Sequence, residues 1–289
     1  MVKFRRYCFL SDFSKVYNLC VKCYTIAGDN GICAPYWEYG QSSGDADVLN
    51  FHRIGLWEDD GELVGVATYE TQLGEAFFIL DPQYSALAEE MLIYAETQLC
   101  DKENKLCLNL SSGQTQFIAL AKQGGYSLLG KYPEKVFSYG KCINYSLPCG
   151  YRFLDNVTEL IDIAKLDVCL HYGFDHEGEP DGDLDFRIHM SVTPNFRSDL
   201  CCIVVDNDGN YVCYAGIWVV PDNKLAYLEP LCVHPLHRKK GIAAAAIAEL
   251  IRRTTPLGCN HITGGSGDFY TAIGYQTVGY SEVWGKKVI

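Results

Sequence analysis

Residues 228–248 read LEPLCVHPLHRKKGIAAAAIA and join three patterns in one short stretch. The apolar residues before Pro235 predict a strand. The alanine-rich run from Ile242 predicts a helix, because alanine has the highest helix propensity. The turn between them holds the three basic residues Arg238–Lys240, followed by Gly241. Glycine has no side chain, so a ligand can approach the backbone closely at this point.

This strand–turn–helix unit predicts an anion site. The first amides of a helix have no partner within the helix, and they lie at the positive end of its dipole. Here these amides belong to Ile242, Ala243 and Ala244, and Arg238, Lys239 and Lys240 add positive charge beside them. A pyrophosphate would fit such a cradle. A basic surface turn before an alanine-rich helix is the alternative. The spacing matches neither a Walker loop nor Gly-x-Gly-x-x-Gly.

Composition narrows the class of protein. The chain has 289 residues, a formal charge of −12, 48% hydrophobic residues and 21% charged residues, which is typical of a globular protein. The acidic balance disfavours nucleic acid as a partner. No run approaches the roughly 18 apolar residues of a membrane span, and the N-terminus does not resemble a signal peptide. We therefore expect a cytoplasmic protein without a membrane partner.

Fourteen cysteines are the unusual feature of the composition. They make up about 5% of the chain, below the roughly 8–10% of a disulfide scaffold, so we expect reduced thiols. Cys20 and Cys23 form a CxxC without a second pair, whereas a zinc site would need one. We expect them to pack as small apolar residues, as we do for Cys201 and Cys202, and we expect no metal.

A weak internal repeat divides the chain. Residues 57–64 and 205–212 each predict a hairpin with Asp-Gly in its turn. In both halves a strand, a proline, a helix and another strand follow, and then a short helix leads into Gly-Tyr. We therefore predict an α+β fold of two domains, residues 1–142 and 143–289. Each is expected to be a mixed, mostly antiparallel sheet flanked by helices.

Two motifs carry a family resemblance. The pattern Val233-x-Pro235-x-x-Arg238-x-x-Gly241-Ile242-Ala243 resembles motif A of the GNAT superfamily of N-acetyltransferases. About 30 residues later, after a predicted strand, residues 269–275 (FYTAIGY) resemble the superfamily's second signature. The resemblance covers roughly residues 145–289, and through the repeat it extends weakly to the first half. It therefore implies two tandem GNAT-like domains.

The resemblance implies a place for acetyl-CoA. The strand would open at a bulge near Leu231 to Val233, and the pantetheine would pair with the backbone of Leu231, Cys232 and Val233 like an added strand. The pyrophosphate would lie on the amides from Arg238 to Ala243, and Ala244 also belongs to the expected cofactor-binding residues. A backbone N–H near Leu231 or Val233 would polarise the thioester carbonyl.

The resemblance also suggests catalytic residues. Tyr270 matches the position that protonates the departing CoA sulfur, and the alternative is a packing tyrosine. Glu229 is our candidate general base, directly or through water. Strand alternation would place it on one face with Tyr227 and Leu231. A salt-bridged strand carboxylate is the alternative. For His234 and His237 we favour ligand contact over acid–base chemistry.

One segment departs from the family pattern. Many members have Asn-x-x-Ala-x-x-x-Tyr before this tyrosine, whereas Thr263 and Ser266 occupy those two positions here. The asparagine contact to CoA is therefore missing. Ser266 or backbone groups of the glycine-rich run would substitute, and Phe269 would add a cofactor contact.

The first copy lacks these features. By the repeat, Ser85 and Ala88 stand where Arg238 and Gly241 do, and residues 117–118 stand where 269–270 do. The first copy therefore has no basic turn, no glycine and no tyrosine. We expect it to be degenerate and not to bind CoA in the usual way.

Residues 175–185 contain six carboxylates. They lack the spacing of a calcium loop, so a solvated charged loop is the default interpretation. As an acidic rim they would attract a cationic acceptor.

The resulting prediction is an N-acetyltransferase that transfers acetyl from acetyl-CoA to a primary amine of a small molecule or peptide. It would act by direct attack in a ternary complex, as a monomer or homodimer. A CoA-binding regulatory module without turnover, another acyl group, and a hydroxyl acceptor remain alternatives.

Overall fold

The computed structural model describes residues 1–288, which form two compact units. The first unit contains residues 1–134 and the chain from Thr277 onward, and the second contains Lys135–Gln276. Within the described residues the strands are β1 (Lys3–Arg6), β2 (Gly55–Asp59), β3 (Glu62–Thr68), β4 (Glu75–Leu80), β5 (Lys105–Ser111), β6 (Ser127–Ser138), β7 (Tyr151–Phe153), β8 (Cys202–Asp206), β9 (Tyr211–Val220), β10 (Leu225–Val233), β11 (His261–Gly264) and β12 (Gln276–Lys287). The α-helices are α1 (Phe9–Cys23), α2 (Ala34–Ser42), α3 (Ala88–Gln98), α4 (Thr115–Gln123), α5 (Ile163–Gly173), α6 (Asp185–Ser191), α7 (Ile242–Thr254) and α8 (Asp268–Ala272).

The sheet of the first unit has the strand order β1-β2-β3-β4-β5-β12-β6. Strands β4 and β5 are parallel, while β1 with β2, β2 with β3 and β3 with β4 are antiparallel. The C-terminal strand β12 runs antiparallel to β5, with Trp284 opposite Leu108. Trp284 is buried in the same hydrophobic core as Leu108. The last strand of the chain thus completes the first unit.

The sheet of the second unit runs from the end of β6 through β11, β10, β9 and β8 to β7. Strands β10 and β11 are parallel, and the other described pairs are antiparallel. Each face of this sheet has its own core. Helix α7 packs on one face through Ile242 and Leu250, and α5 packs on the other through Leu166 and Leu170.

The predicted α+β class, with mostly antiparallel sheets flanked by helices, is confirmed. The two Asp-Gly hairpins are the β2–β3 and β8–β9 turns. Gly61 and Gly209 both adopt a positive φ there, of 87° and 82°. A 3₁₀ turn (Pro82–Leu87) precedes the first residue of helix α3, Ala88.

Strand β10 contains a bulge that corrects one prediction. Leu228 lies opposite Ile217 and Leu231 lies opposite Ala215, so Glu229 and Pro230 together face the single residue Gly216. The bulge therefore begins before the predicted position. The extra residue shifts the alternation of side chains beyond it. Leu231 lies on the same face as Leu228 and not on that of Tyr227, so the predicted shared face of Tyr227 and Leu231 is wrong.

The cysteines are free thiols, and all fourteen lie within the described residues. Cys20, Cys23, Cys201 and Cys202 are buried, which confirms the prediction that they pack as small apolar residues. Residues 1–288 contain no cluster of three or more His, Cys, Asp or Glu side chains that could hold a metal ion. None of the described helices combines the length and apolar character needed to cross a bilayer.

Candidate functional site

The site begins where β10 and β11 separate. The two parallel strands pair at Leu225 and Ala226, opposite His261 and Ile262. One further contact follows, in which the Leu228 amide donates to Oγ1 of Thr263 over 2.9 Å. The bulge in β10 comes directly after this contact. Thr263 thus marks the end of the pairing.

Beyond the bulge, β10 presents an open backbone edge. The His234 amide donates to the Val212 carbonyl, so Val233 and Cys213 form a non-hydrogen-bonded antiparallel pair. By the alternation of an antiparallel ladder, the amides and carbonyls of Leu231 and Val233 point away from β9, toward the separated side. The backbone of Cys232 faces β9 instead. Its buried thiol donates to the Cys169 carbonyl of α5 over 3.6 Å.

The loop before α7 has the backbone of an anion cradle. Gly241 has φ of 81° and precedes the first helical residue, Ile242. The amides of Ile242, Ala243 and Ala244 have no partner within the helix by its geometry. A methyl group on Gly241 would lie 3.4 Å from the ring of Tyr145. This is an ordinary van der Waals distance, so the left-handed torsion is the reason that glycine is favoured here.

The basic side chains of the loop contact other parts of the second unit. Arg238 donates through Nε to the Val233 carbonyl over 3.0 Å and through Nη2 to the Gly173 carbonyl over 2.8 Å. Lys240 donates to the Tyr151 hydroxyl over 2.9 Å. Lys239 is exposed. The positive charge beside the cradle is therefore partly committed to holding the loop in place.

Two histidines flank the cradle. Nδ1 of His237 lies 2.9 Å from the Tyr151 hydroxyl. Burial lowers the pKa of His237, and the positive charge of Lys240 lowers it further. Burial lowers the pKa of His234, and the positive charges of His237 and Arg238 lower it further. Both imidazoles are thus biased toward their neutral form.

Tyr270 is the middle residue of the short helix α8. Its ring packs against Phe269 and Tyr275, each with a centroid distance of 5.1 Å. Burial raises the pKa of the Tyr270 phenol, a hydrogen bond from the Gly265 amide lowers it, and the nearby charge of Glu229 raises it. The structure therefore brings the two predicted catalytic side chains within electrostatic reach of each other.

The glycine-rich run before α8 is anchored by a residue that our sequence reasoning missed. Lys135, only 6% exposed, donates through Nζ to the carbonyls of Ser266 and Gly267 over 2.7 and 2.9 Å. Ser266 itself is exposed. A single buried lysine has no local sequence signal. Thr263 was visible as a departure from the family pattern, but its bond to Leu228 was not.

The acidic loop folds back on the end of α5. Asp175 pairs with Arg238 over 3.0 Å, and Glu179 accepts from the Tyr172 hydroxyl over 2.9 Å. Asp181 and Asp183 are exposed, and each accepts a backbone amide two residues later. One carboxylate of the loop is thus tied to the cradle arginine, while others face solvent.

The first unit fills the equivalent strand edge with its own residues. The Leu80 amide of β4 donates to the Asn30 carbonyl over 3.0 Å. Gln114, 7% exposed, donates to the Phe78 carbonyl over 3.1 Å and accepts from the Ser111 amide over 3.0 Å. A cavity of about 160 Å³ nearby is lined by Asp29 and Ser85 among others, with no basic side chain among its described lining residues.

Comparison with known proteins finds a family match within the second half of the chain. Residues 161–275 match the family model of the acetyltransferase (GNAT) family. The recognition made from the two motifs is confirmed. No curated protein sequence is similar enough to count as a match.

Solved structures with the same fold cover nearly the whole chain. A GCN5-related N-acetyltransferase from Sphaerobacter thermophilus has a TM-score of 0.65 and 15% identity, over 99% of this chain and 96% of that one. A tandem GNAT protein from the clavulanic acid biosynthesis pathway has a TM-score of 0.63 and 12% identity, over 100% and 99%. A GNAT-family acetyltransferase from Colwellia psychrerythraea has a TM-score of 0.61 and 12% identity, over 98% of each chain. The chain thus has a fold found in a tandem GNAT protein.

Proposed function

We propose that the second unit transfers an acetyl group from acetyl-CoA to a primary amine of a small molecule or peptide. The observation that carries this proposal is the convergence of three features. Tyr270 and Glu229 interact electrostatically, and a helix start follows at Gly241. The edge of β10 is open at Leu231 and at the Val233 amide, while Arg238 occupies the Val233 carbonyl. An acyl thioester, its phosphates and an attacking amine each require one of these features.

The proposed roles follow from the chemistry of each group. The amides of residues 241–244 would hold the pyrophosphate. The Leu231 or Val233 amide would donate to the thioester carbonyl oxygen as negative charge develops on it. Thr263 fixes the point at which the strands part, through its bond to Leu228.

The proposed reaction is direct attack by the amine. Glu229, directly or through water, takes one proton from the incoming ammonium. The amine nitrogen then forms a bond to the acetyl carbon, and the bond from that carbon to sulfur breaks. Tyr270 donates a proton to the departing sulfur, and the nitrogen loses its second proton, which restores the Tyr270 phenol directly or through water. The products are an amide, CoA thiol and the one proton taken by Glu229 and released to solvent. Burial keeps the Tyr270 phenol protonated at neutral pH, which suits a proton donor.

We also propose that the first copy is silent toward CoA. An added strand at β4 would need the Leu80 amide and the Phe78 carbonyl, and Asn30 and Gln114 already bond to them. A phosphate near the adjacent cavity would meet the carboxylate of Asp29 and no basic side chain among its described lining residues.

The test is a screen of primary amines with acetyl-CoA, with the acetylated product detected by mass spectrometry, since native thiols disturb thiol reagents. We expect turnover with at least one amine. We expect Tyr270→Phe to lower kcat by about 100-fold or more while acetyl-CoA affinity by calorimetry stays within about threefold. Tight acetyl-CoA binding without product from any amine would favour a regulatory module. Product with other acyl-CoA esters or with alcohols alone would correct the acyl group or the acceptor.

A further inference from the structure

Two glycines between Thr263 and Ser266, Gly264 and Gly265, lie directly against Tyr270. A methyl group on Gly264 would lie 2.5 Å from Cδ1 of Tyr270 and 2.6 Å from Cε1 of Tyr275. A methyl group on Gly265 would lie 2.9 Å from Cε2 of Tyr270. Real side chains do not approach so closely, so any larger residue would displace the ring.

Backbone torsion does not explain these two glycines. Neither is among the residues of the chain with positive φ, so both have torsions that other residues adopt readily. Gly267, in the same run, has φ of −64° and open space around it. Close approach of the Tyr270 ring is therefore what distinguishes Gly264 and Gly265 from Gly267.

The same segment is fixed at both ends. Thr263 holds the Leu228 amide of β10 over 2.9 Å. Buried Lys135 holds the carbonyls of Ser266 and Gly267 over 2.7 and 2.9 Å. Between these anchors the Gly265 backbone lies beside the phenol, since a methyl group on Gly265 would lie 3.5 Å from the Tyr270 hydroxyl. The run thus links the point where β10 opens to the phenol.

We propose that Gly264 and Gly265 form a seat that positions Tyr270 relative to the open edge of β10, with Thr263 and Lys135 as its anchors. Because these two residues have no side chain, the Tyr270 ring lies directly against their backbone, a position that a larger residue at either site would prevent. These are positioning residues. The inference rests on the proposed role of Tyr270 as the proton donor.

The first test does not depend on activity. In protein labelled with ¹³Cζ-tyrosine, the signal of Tyr270 is identified by its loss in Tyr270→Phe. We expect Gly264→Ala and Gly265→Ala to move this signal and its pH titration, and Gly267→Ala to leave both unchanged. In the unaltered protein we expect a nuclear Overhauser contact between the Gly265 amide proton and the Tyr270 ring. Absence of that contact, or equal shifts in all three variants, would overturn the seat.

The second test measures coupling during turnover. We expect Gly265→Ala to lower kcat by about tenfold or more while acetyl-CoA affinity changes less than about threefold, because a misplaced donor affects the transition state selectively. In a Tyr270→Phe background the same substitution should have little further effect. An equal loss in both backgrounds would refute the positioning role. Absence of turnover in the unaltered protein would refute the proposed function and leave the spectroscopic result to decide the seat.

Discussion

Arg238 and Asp175 form an ion pair of 3.0 Å, and the same guanidinium donates to the Gly173 carbonyl over 2.8 Å. The arginine of the cradle loop therefore closes the carboxyl end of α5, where the helix dipole and unpaired carbonyls favour a cation. The Arg238 backbone is part of the loop before α7, while its side chain pairs with Asp175 of the acidic segment. Two features that the sequence presents separately are thus joined by one side chain.

The first prediction concerns these contacts of Arg238. We expect Arg238→Ala to lower the free energy of unfolding by about 1–2 kcal/mol, because the bonds to Val233 and Gly173 are lost. Arg238→Lys should restore little, since an ammonium cannot reproduce the forked geometry. Asp175→Asn should cost less than about 0.5 kcal/mol, because that pair is exposed. Urea unfolding measures all three, and equal losses for Arg238→Ala and Asp175→Asn would contradict this ranking.

The second prediction concerns the cradle glycine. Gly241→Asp should weaken acetyl-CoA binding by more than about 100-fold, because a carboxylate would face the phosphates at the helix start. Gly258→Asp is the matched control, since Gly258 also has positive φ (89°) and lies at the other end of the same helical region. Calorimetry should show affinity within about threefold for the control. Binding that persists in an Arg238→Ala, Gly241→Asp double variant would show that the first copy is not silent.

The third prediction concerns the filled edge of the first unit. Gln114→Leu should lower the free energy of unfolding by about 2 kcal/mol, because it leaves the Phe78 carbonyl and the Ser111 amide without their partner. Gln116→Leu is the control, since Gln116 is exposed and its bond to the Ser85 carbonyl lies at the surface. Its effect should be under about 0.5 kcal/mol. Similar values for both variants would mean that Gln114 does not fill the edge as described.

The fourth prediction concerns pH. Burial lowers the pKa of His261 in β11. The unfolded chain therefore takes up this proton first, and the associated stability is complete above the ordinary histidine pKa of about 6.5 and declines as pH falls below it. His261→Gln should flatten the decline between about pH 6.5 and 5, whereas His52→Gln, at an exposed residue, should not. Urea unfolding at several pH values would count against this assignment if the two variants behaved alike.

The fifth prediction concerns the acidic loop. If the exposed carboxylates attract a cationic acceptor, Asp181→Asn with Asp183→Asn should raise KM for cationic amines several-fold and leave neutral amines unchanged. The effect should shrink at high salt. Glu62→Gln with Glu89→Gln removes the same charge from exposed residues of the first unit. An equal change in this control, or no preference for cationic amines in the unaltered protein, would favour the alternative that the loop is a solvated surface segment.

The sequence by itself determined the local units of this protein. The Asp-Gly hairpins, the strand ending at Val233 and the helix beginning at Ile242 follow from turn chemistry and helix propensity, which act over a few residues. The two motifs near Arg238 and Tyr270 were also readable, because their spacing is short. These patterns were enough to indicate the fold class and the family.

Only the tertiary structure decided how these units meet. The bulge at Glu229 and Pro230 lies opposite Gly216 of β9, where a side chain would collide with the Glu229 carbonyl, and it shifts the side-chain alternation that a regular strand would have. The roles of Lys135, Gln114 and the terminal strand at Trp284 depend on partners more than 30 residues away along the chain. Buried polar groups and strand edges must be satisfied by whatever the fold brings near, and this requirement leaves no periodic signal in the sequence.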